Sequence, residues 1–268
     1  MKAFRPALLI ILAVLCLAPV LTMLMVSLRT QADILSPNFS FFVMPTLDNY
    51  RDVLSEDRFG RYLLNSAIVG VVATVITLVF GTMCAYGLSR FNFRGRGSIA
   101  LSSLMLRTLP PAVLAVPVYL VWTEWGIADT LPGLILIYVA LNLPFTIWLL
   151  YGFIEQVPPE LEEAASIDGC GPFRTFFQVV LPLLRPGLAA AAIFTFRIAW
   201  NEFILALVLT NRFTRTLPVA ASLYITDVGI QWGKLMAAGG LIALPPLIFT
   251  FFAARQIITG MTAGAVKG

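Results

Sequence analysis

Six long apolar runs constrain this chain more than any other feature. They cover residues 6–28, 63–88, 99–121, 133–153, 187–209 and 236–258. About 20 apolar residues in helical form cross the hydrocarbon of a bilayer, so each run is long enough to span. Backbone polar groups at that depth must be satisfied within the segment, which makes helices the expected form. Composition agrees: 59% of residues are hydrophobic, 12% are charged and the mean hydropathy is +0.89, far from the roughly half apolar and quarter charged of soluble domains. The expected fold class is an all-α integral membrane protein with six transmembrane helices, forming one transmembrane domain over residues 1–268.

The first run follows Lys2 and Arg5, as the core of a signal peptide would. It is too long for such a core, no small-residue cleavage site closes it, and Leu15 before Cys16 suits a lipoprotein site poorly. It is read as a retained first spanning helix. An even number of spans puts both termini on one side. Arg90, Arg94 and Arg96 crowd one short connection, whereas the next, residues 124–132, has no basic residue. Short cationic connections stay in the cytoplasm, giving an N-in, C-in arrangement.

Several functions are excluded. The net charge is only +4 and the basic residues are scattered, so nucleic-acid binding has no footing. There is no histidine, and Cys16, Cys84 and Cys170 lie far apart; neither a metal site nor a disulfide framework is expected. Gly233 and Lys234 are followed by Leu235, without the first glycine of a Walker A loop, so no cofactor is expected in this chain and ATP should not bind to it.

Prolines interrupt the apolar runs at Pro110, Pro111 and Pro117, at Pro144, and at Pro245 and Pro246. Proline removes a donor and kinks a helix. At membrane depth such breaks survive only where protein or a water-filled cavity supplies partners, which suits a transport path better than an inert anchor. The outer segment 29–61 contains Phe39, Phe41 and Phe42, then Thr46 placed to cap an amphipathic stretch at 47–54. That stretch suits a short helix lying in the outer interface or a plain surface connector equally well.

The polar stretch 155–187 carries the sharpest local signals. Pro159 suits a first helical turn, Glu160, Glu162 and Glu163 complement the positive end of the helix dipole, and Gly169 suits the left-handed residue that stops a helix. A second helix can begin at Pro172, with Phe173, Phe176, Phe177 and Val180 spaced along one apolar face until Pro182 ends or kinks it. Two short helices around a glycine turn suit a linker folded back on the bundle or a docking element for another protein. An amphipathic face serves either purpose.

A resemblance separates the two. Glu163, Ala164 and Ala165, then Gly169, Val179, Leu181 and Pro182, follow the spacing of the EAA loop of ABC-importer permeases, with Val179 where the family has isoleucine. Other stretches are similar to the maltose-type, carbohydrate-uptake branch of that family: Leu47 to Tyr50, Asn65 and Ser66, Ala85 to Phe91, Ala199 to Glu202, and the tail from Met261 to Gly268. The resemblance implies a non-enzymatic, multi-pass permease subunit of the bacterial or archaeal cytoplasmic (inner) membrane. Its implied partners are a second homologous permease, an ATPase dimer that binds the ATP and Mg, an extracytoplasmic solute-binding protein, and the membrane lipid. Glu163, Ala164, Ala165, Asp168 and Gly169 would form the cytoplasmic coupling helix. Gly264, Lys267 and Gly268, in a cytoplasmic tail at 259–268, would make a second ATPase contact.

Arg107, Arg197, Asn201 and Glu202 fall inside apolar runs, where charge is costly and marks either a path or a buried pair. Arg197 and Asn201 share a helix face. With Trp200 and Glu202 they offer an aromatic surface beside hydrogen-bonding groups, a combination that suits a sugar. A structural ion pair explains the same charges. An ion-gradient-driven secondary transporter or channel accommodates them too, but it leaves the EAA spacing unexplained.

Overall fold

The computed structural model describes residues 4–37, 43–55, 58–106 and 108–265. They are mostly helical. Helices α1 (Phe4–Ser27), α2 (Gln31–Leu35), α3 (Asp48–Ser55), α4 (Phe59–Arg90), α5 (Arg96–Leu106), α6 (Pro111–Glu124) and α7 (Leu131–Ile154) come first. Then follow α8 (Pro159–Ile167), α9 (Pro172–Thr175), a π-helical turn (Phe176–Val180), α10 (Leu181–Leu183), α11 (Arg185–Asn201), α12 (Ile204–Leu209) and α13 (Leu217–Ala221). A two-residue antiparallel ribbon pairs β1 (Ile225–Thr226) with β2 (Gly229–Ile230) before α14 (Trp232–Ala265). Arg107, Phe39, Phe41, Phe42, Lys267 and Gly268, all singled out in the sequence, lie outside the described residues.

Among the described residues, three helices are long and apolar enough to cross a membrane: Phe59–Arg90, Leu131–Ile154 and Trp232–Phe252. A fourth results if Pro172–Leu183 and Arg185–Asn201, bent by 75°, are taken together. The apolar helices Ile11–Ser27 and Pro111–Glu124 are shorter. Two of the six apolar runs are therefore broken. Run 99–121 divides between α5 and α6, because Pro110 is extended (φ −65°, ψ 133°) and Pro111 opens the next helix. Run 187–209 divides at Glu202, also extended (φ −66°, ψ 131°). Pro144, Pro245 and Pro246 lie inside helices that continue past them.

The chain groups into two compact units, residues 1–63 with 216–245, and residues 64–215 with 246–268. In the first, α3 is tied to the end of α1. Asn49 Nδ2 donates to Ser27 O (2.8 Å), a carbonyl that the helix end leaves without an intrahelical partner, and to Arg29 O (2.7 Å) in the turn beyond it. Tyr50 and Ser27 share a hydroxyl–hydroxyl bond of 2.8 Å, and Lys234 Nζ lies 3.0 Å from Asp52 Oδ2. Thr46 precedes the helix by two residues, and its Oγ1 accepts from Asp48 N at 3.1 Å. Tyr50, Val53 and Leu54 follow the i, i+3, i+4 spacing of one helix face, and that face is covered only in part: Val53 is fully buried while Leu54, like Leu47 just before the helix, is exposed.

The second unit is built on α7. Helices α5, α11 and α12 pack on it, and α12 also packs on α6. Thr146 of α7 and Thr195 of α11 share a buried hydroxyl contact of 3.1 Å, a bond that gains value where water is absent. The α7–α11 approach closes at Gly187, where an added Cβ would stand 2.6 Å from Phe153 Cγ. Gly187→Ala should therefore overpack the crossing and cost about 1–3 kcal/mol. A lowered thermal unfolding midpoint in detergent is the expected readout. Asn65 Nδ2 donates to Phe213 O and Arg215 O at 2.9 Å each, fixing the turn after α12 to α4.

Candidate functional site

Two places bring the singled-out residues together: the short helix α8, and the break between α11 and α12.

Helix α8 starts as its sequence dictates, with Pro159 in the first turn and Glu160 and Glu162 at its positive end. It stops in a Schellman turn. Gly169 N donates to Ser166 O (3.1 Å), Cys170 N donates to Ala165 O (2.9 Å), and Gly169 has a left-handed φ of +81°. Beyond it, α9 runs into the π turn and α10 without ending at Pro182. Proline would clash with the carbonyl four residues back and offers it no N–H, and the wider turn just before Pro182 absorbs that mismatch. Leu181 N accordingly bonds to Phe176 O, five residues back. The extra residue also splits the expected apolar stripe. Val180 is fully buried, whereas Phe173 (78%) and Phe177 (60%) point outwards.

A polar latch holds α8 against the C-terminal end of α4. Arg90 Nε donates to Glu162 Oε1 at 2.6 Å, with both side chains largely buried. Its Nη2 donates to Ile154 O (3.2 Å) and Val157 O (2.8 Å), at and beyond the end of α7. Tyr86 OH donates to Glu162 Oε2 at 2.7 Å, and Ser89 Oγ donates to Glu155. Beneath the latch sit Ala85, Leu150, Ile154, Val157, Val180, Leu184 and Ala191, all buried. The short helix is thereby fixed through Glu162 in its first turn, and the connection before it through Glu155 and Val157, by charge-assisted bonds in a place where they are little screened.

The five proposed coupling residues do not share one face. Glu163, Ala164, Asp168 and Gly169 are exposed, beside an Ile167 that is 87% exposed. Ala165 turns inwards and is buried. Gly264 lies in the last turn of α14. Tyr86, Ser89 and Arg90 escaped the site reading of the sequence, although they all fall in the stretch from Ala85 to Phe91 on which the family resemblance partly rests. That stretch was their only signal.

At the second place α11 ends and the chain extends through Glu202. The Glu202 carboxylate then caps α12 from two residues before it. Leu205 N donates to Oε1 at 2.9 Å, while Ala206 N (3.0 Å) and Tyr138 OH (2.7 Å) donate to Oε2. Trp200 is buried, its ring 5.3 Å from that of Phe196. Its face is packing surface and does not sit open beside Asn201 as the sequence suggested. Arg197 and Asn201 are exposed, with Asn201 Nδ2 donating to Arg197 O at 2.9 Å. Helical register within α11 parts buried Trp200 from exposed Arg197 and Asn201, and the extended backbone at residue 202 turns Glu202 away from all three. The carboxylate faces a cavity of about 220 Å³ lined by Leu109, Pro111, Tyr138, Leu141, Asn142 and Glu202, with Ile198 and Ala199. Tyr138 and Asn142, four apart in the apolar run 133–153, were readable as a polar pair on one helix face but were not read so.

Comparison with known proteins identifies the frame of both places. Residues 77–262 match the family described as the binding-protein-dependent transport system inner membrane component. The chain is 38% identical to the diacetylchitobiose uptake system permease protein NgcG of Streptomyces coelicolor, over 99% of this chain and 89% of that protein. It is 36% identical to the trehalose/maltose transport system permease protein MalG of Thermococcus litoralis, over 97% of this chain and 94% of that one. Its fold is similar to a chain in the crystal structure of a bacterial ABC transporter involved in the import of the acidic polysaccharide alginate, with a TM-score of 0.79, 22% identity and 95% of each chain covered. With matches over nearly its whole length, the chain belongs to the family of binding-protein-dependent transport system inner membrane components, the permeases of ABC transporters.

Proposed function

We propose that this chain is the transmembrane permease subunit of an ATP-driven, binding-protein-dependent importer of a carbohydrate or polyol. It forms the translocation path with a homologous permease and couples to an ATPase dimer through α8. The ATP and Mg belong to that dimer, so this subunit is not itself an enzyme. An extracytoplasmic solute-binding protein delivers the solute. The membrane is the cytoplasmic one of a bacterium or archaeon. Six spans with both termini inside account for the six apolar runs: α1, α4, broken α5–α6, α7, broken α11–α12, and α14. The EAA stretch at 155–187 and the tail at 259–268 then face the cytoplasm, and 29–61 with α3 faces outside. The carbohydrate class rests on the chitobiose, trehalose and maltose in the relatives' names.

The observation that carries this reading is the construction of α8. An exposed surface of Glu163, Ala164, Ile167, Asp168 and Gly169 is held rigidly by bonds that all lie behind it. Such a surface suits a cleft in a partner, because the small Ala164 permits close approach. Gly169→Asp tests it. Open space surrounds Gly169, and aspartate tolerates a left-handed backbone better than most residues, so the local strain is about 1 kcal/mol. The expected result is a folded, membrane-inserted chain that no longer co-purifies with its ATPase and drives no uptake. Wild-type association and transport in that variant would sink the importer reading, as would the absence of any ATPase in pull-downs of the unmodified chain.

A further inference from the structure

Helix α11 has one side that packing leaves uncovered. Thr195, Phe196, Ala199 and Trp200 are buried, whereas Phe194 (41% exposed), Arg197 and Asn201 lie open along one stripe, with half-buried Ile198 beside them. In the six-span arrangement proposed above, Arg197 stands ten residues past Gly187. That is about 15 Å along the helix, half-way through a hydrocarbon core of about 30 Å. Charged side chains at such depth face a bundle interior or a water-filled cavity, and they need a partner there. No described residue is that partner: Arg197 makes no ion pair and no side-chain hydrogen bond with any of them. Glu202 is the one acidic residue in all six apolar runs, and its oxygens already accept from Leu205 N, Ala206 N and Tyr138 OH. The open side of α11 therefore carries an unbalanced positive charge. Ile198 of the same stripe also lines the cavity that faces Glu202, so the stripe borders that open space.

We infer that Arg197 sets the charge selectivity of the path, and that the solute is a sugar carrying a carboxylate. The inference rests on the carbohydrate reading above and narrows it. A guanidinium presents a planar fork of N–H donors that matches a carboxylate in two parallel bonds. At Arg197 that fork is open. Asn201 gives Nδ2 to Arg197 O at 2.9 Å, which leaves its Oδ1 to accept from a sugar hydroxyl. Phe194 stands one turn before Arg197, set edge-to-face against Phe145 at 5.7 Å, and its exposed side offers ring surface to a C–H face. Ring, guanidinium and amide thus follow one another along two turns of one helix. A neutral sugar would leave the guanidinium without a counter-charge, and a cationic solute would be repelled by it. An acid on a second permease is the rival source of that counter-charge. It would explain the guanidinium alone, and not the amide and ring aligned with it beside an open cavity.

The assembled importer with its binding protein, in proteoliposomes, tests this. The probes are matched pairs, glucose and glucuronate, galactose and galacturonate, mannose and mannuronate, each as the monosaccharide and as the disaccharide. Stimulation of ATP hydrolysis by a uronate, and weaker or no stimulation by its neutral twin, is the expected result. Stimulation by neutral sugars alone would overturn the inference and leave the carbohydrate reading standing. If no probe of either kind stimulates, the carbohydrate reading fails and takes the inference with it. Arg197→Gln then locates the selectivity. The side chain is exposed and unpartnered among the described residues, so the variant should fold and assemble. Its KM for uptake of the stimulating uronate should rise at least about 10-fold, the effect of losing charge-assisted hydrogen bonds, with Arg197→Lys recovering part of it. A wild-type KM in Arg197→Gln, or loss of the second permease from its purified complex, would assign the charge to something other than the solute.

Discussion

Replacing Arg90 by alanine should disconnect ATP hydrolysis from solute uptake and make the chain clearly less stable. The guanidinium does three jobs at once: it pairs with Glu162, it accommodates the carbonyls of Ile154 and Val157 at the end of α7, and it bonds Ser89 Oγ at 3.2 Å. Its side chain is 15% exposed and that of Glu162 14%. Removing one partner of a largely buried pair strands the other charge, at a cost of about 3–5 kcal/mol. The carbonyls lose their donor as well. Most of that cost falls on the attachment of α8, because the core residues below the latch stay in place. Lysine at 90 keeps the charge but lacks the fork that reaches Glu162 and two carbonyls together, so it should recover only part of the loss. Tyr86→Phe removes one hydrogen bond and should cost about 1 kcal/mol. The measurements are the thermal midpoint and the ratio of solute imported to ATP hydrolysed in proteoliposomes. A wild-type ratio in Arg90→Ala would show that α8 does not need this anchor.

The latch also marks a limit on what could be read from the chain alone. Arg90 and Glu162 are 72 positions apart, and no local pattern encodes a pairing at that distance. What is local was legible. Pro159 and Gly169 bracket α8 because a fixed φ and a left-handed φ are properties of single residues. The apolar runs foretold helices because a period and a length suffice for that. Breaks were harder. Pro110 and Pro111 do divide a run, yet Pro144 lies inside α7 and Pro182 is absorbed by a widened turn. Whether a proline ends a helix depends on whether neighbouring packing rewards continuing it, which no single position reveals. Exposure was least legible. Trp200 and Ala165 turn inwards while Phe173 and Phe177 turn outwards, since a one-residue shift in helical register rotates a side chain by about 100°.

The same reasoning makes Glu202 the most consequential single position in the second unit. A helix interrupted at this depth frees N–H groups that water is not there to satisfy, and each unpaired group in hydrocarbon costs several kcal/mol. Serine, threonine, asparagine or aspartate normally caps a helix from the residue just before it. Here that residue is Phe203, and the carboxylate reaches from one position earlier, with one more methylene than aspartate has. Glu202→Asp should therefore fall short of Leu205 N and Ala206 N. Glu202→Gln keeps one acceptor oxygen but sets its NH2 against one backbone donor, Leu205 N–H in one orientation and Ala206 N–H in the other, at a cost of about 1–3 kcal/mol. Glu202→Ala leaves all three donors unpaired and should be the least stable, with sharply reduced yield from membranes. Tyr138→Phe removes only one of the three bonds and should remain close to wild type in yield. The order Ala, then Gln, then Phe at 138, from most to least destabilised, is checked by thermal unfolding of the detergent-purified chain. If Glu202→Ala instead unfolded at the wild-type temperature, the carboxylate would not be holding the break, and its charge would have to be kept for the solute alone.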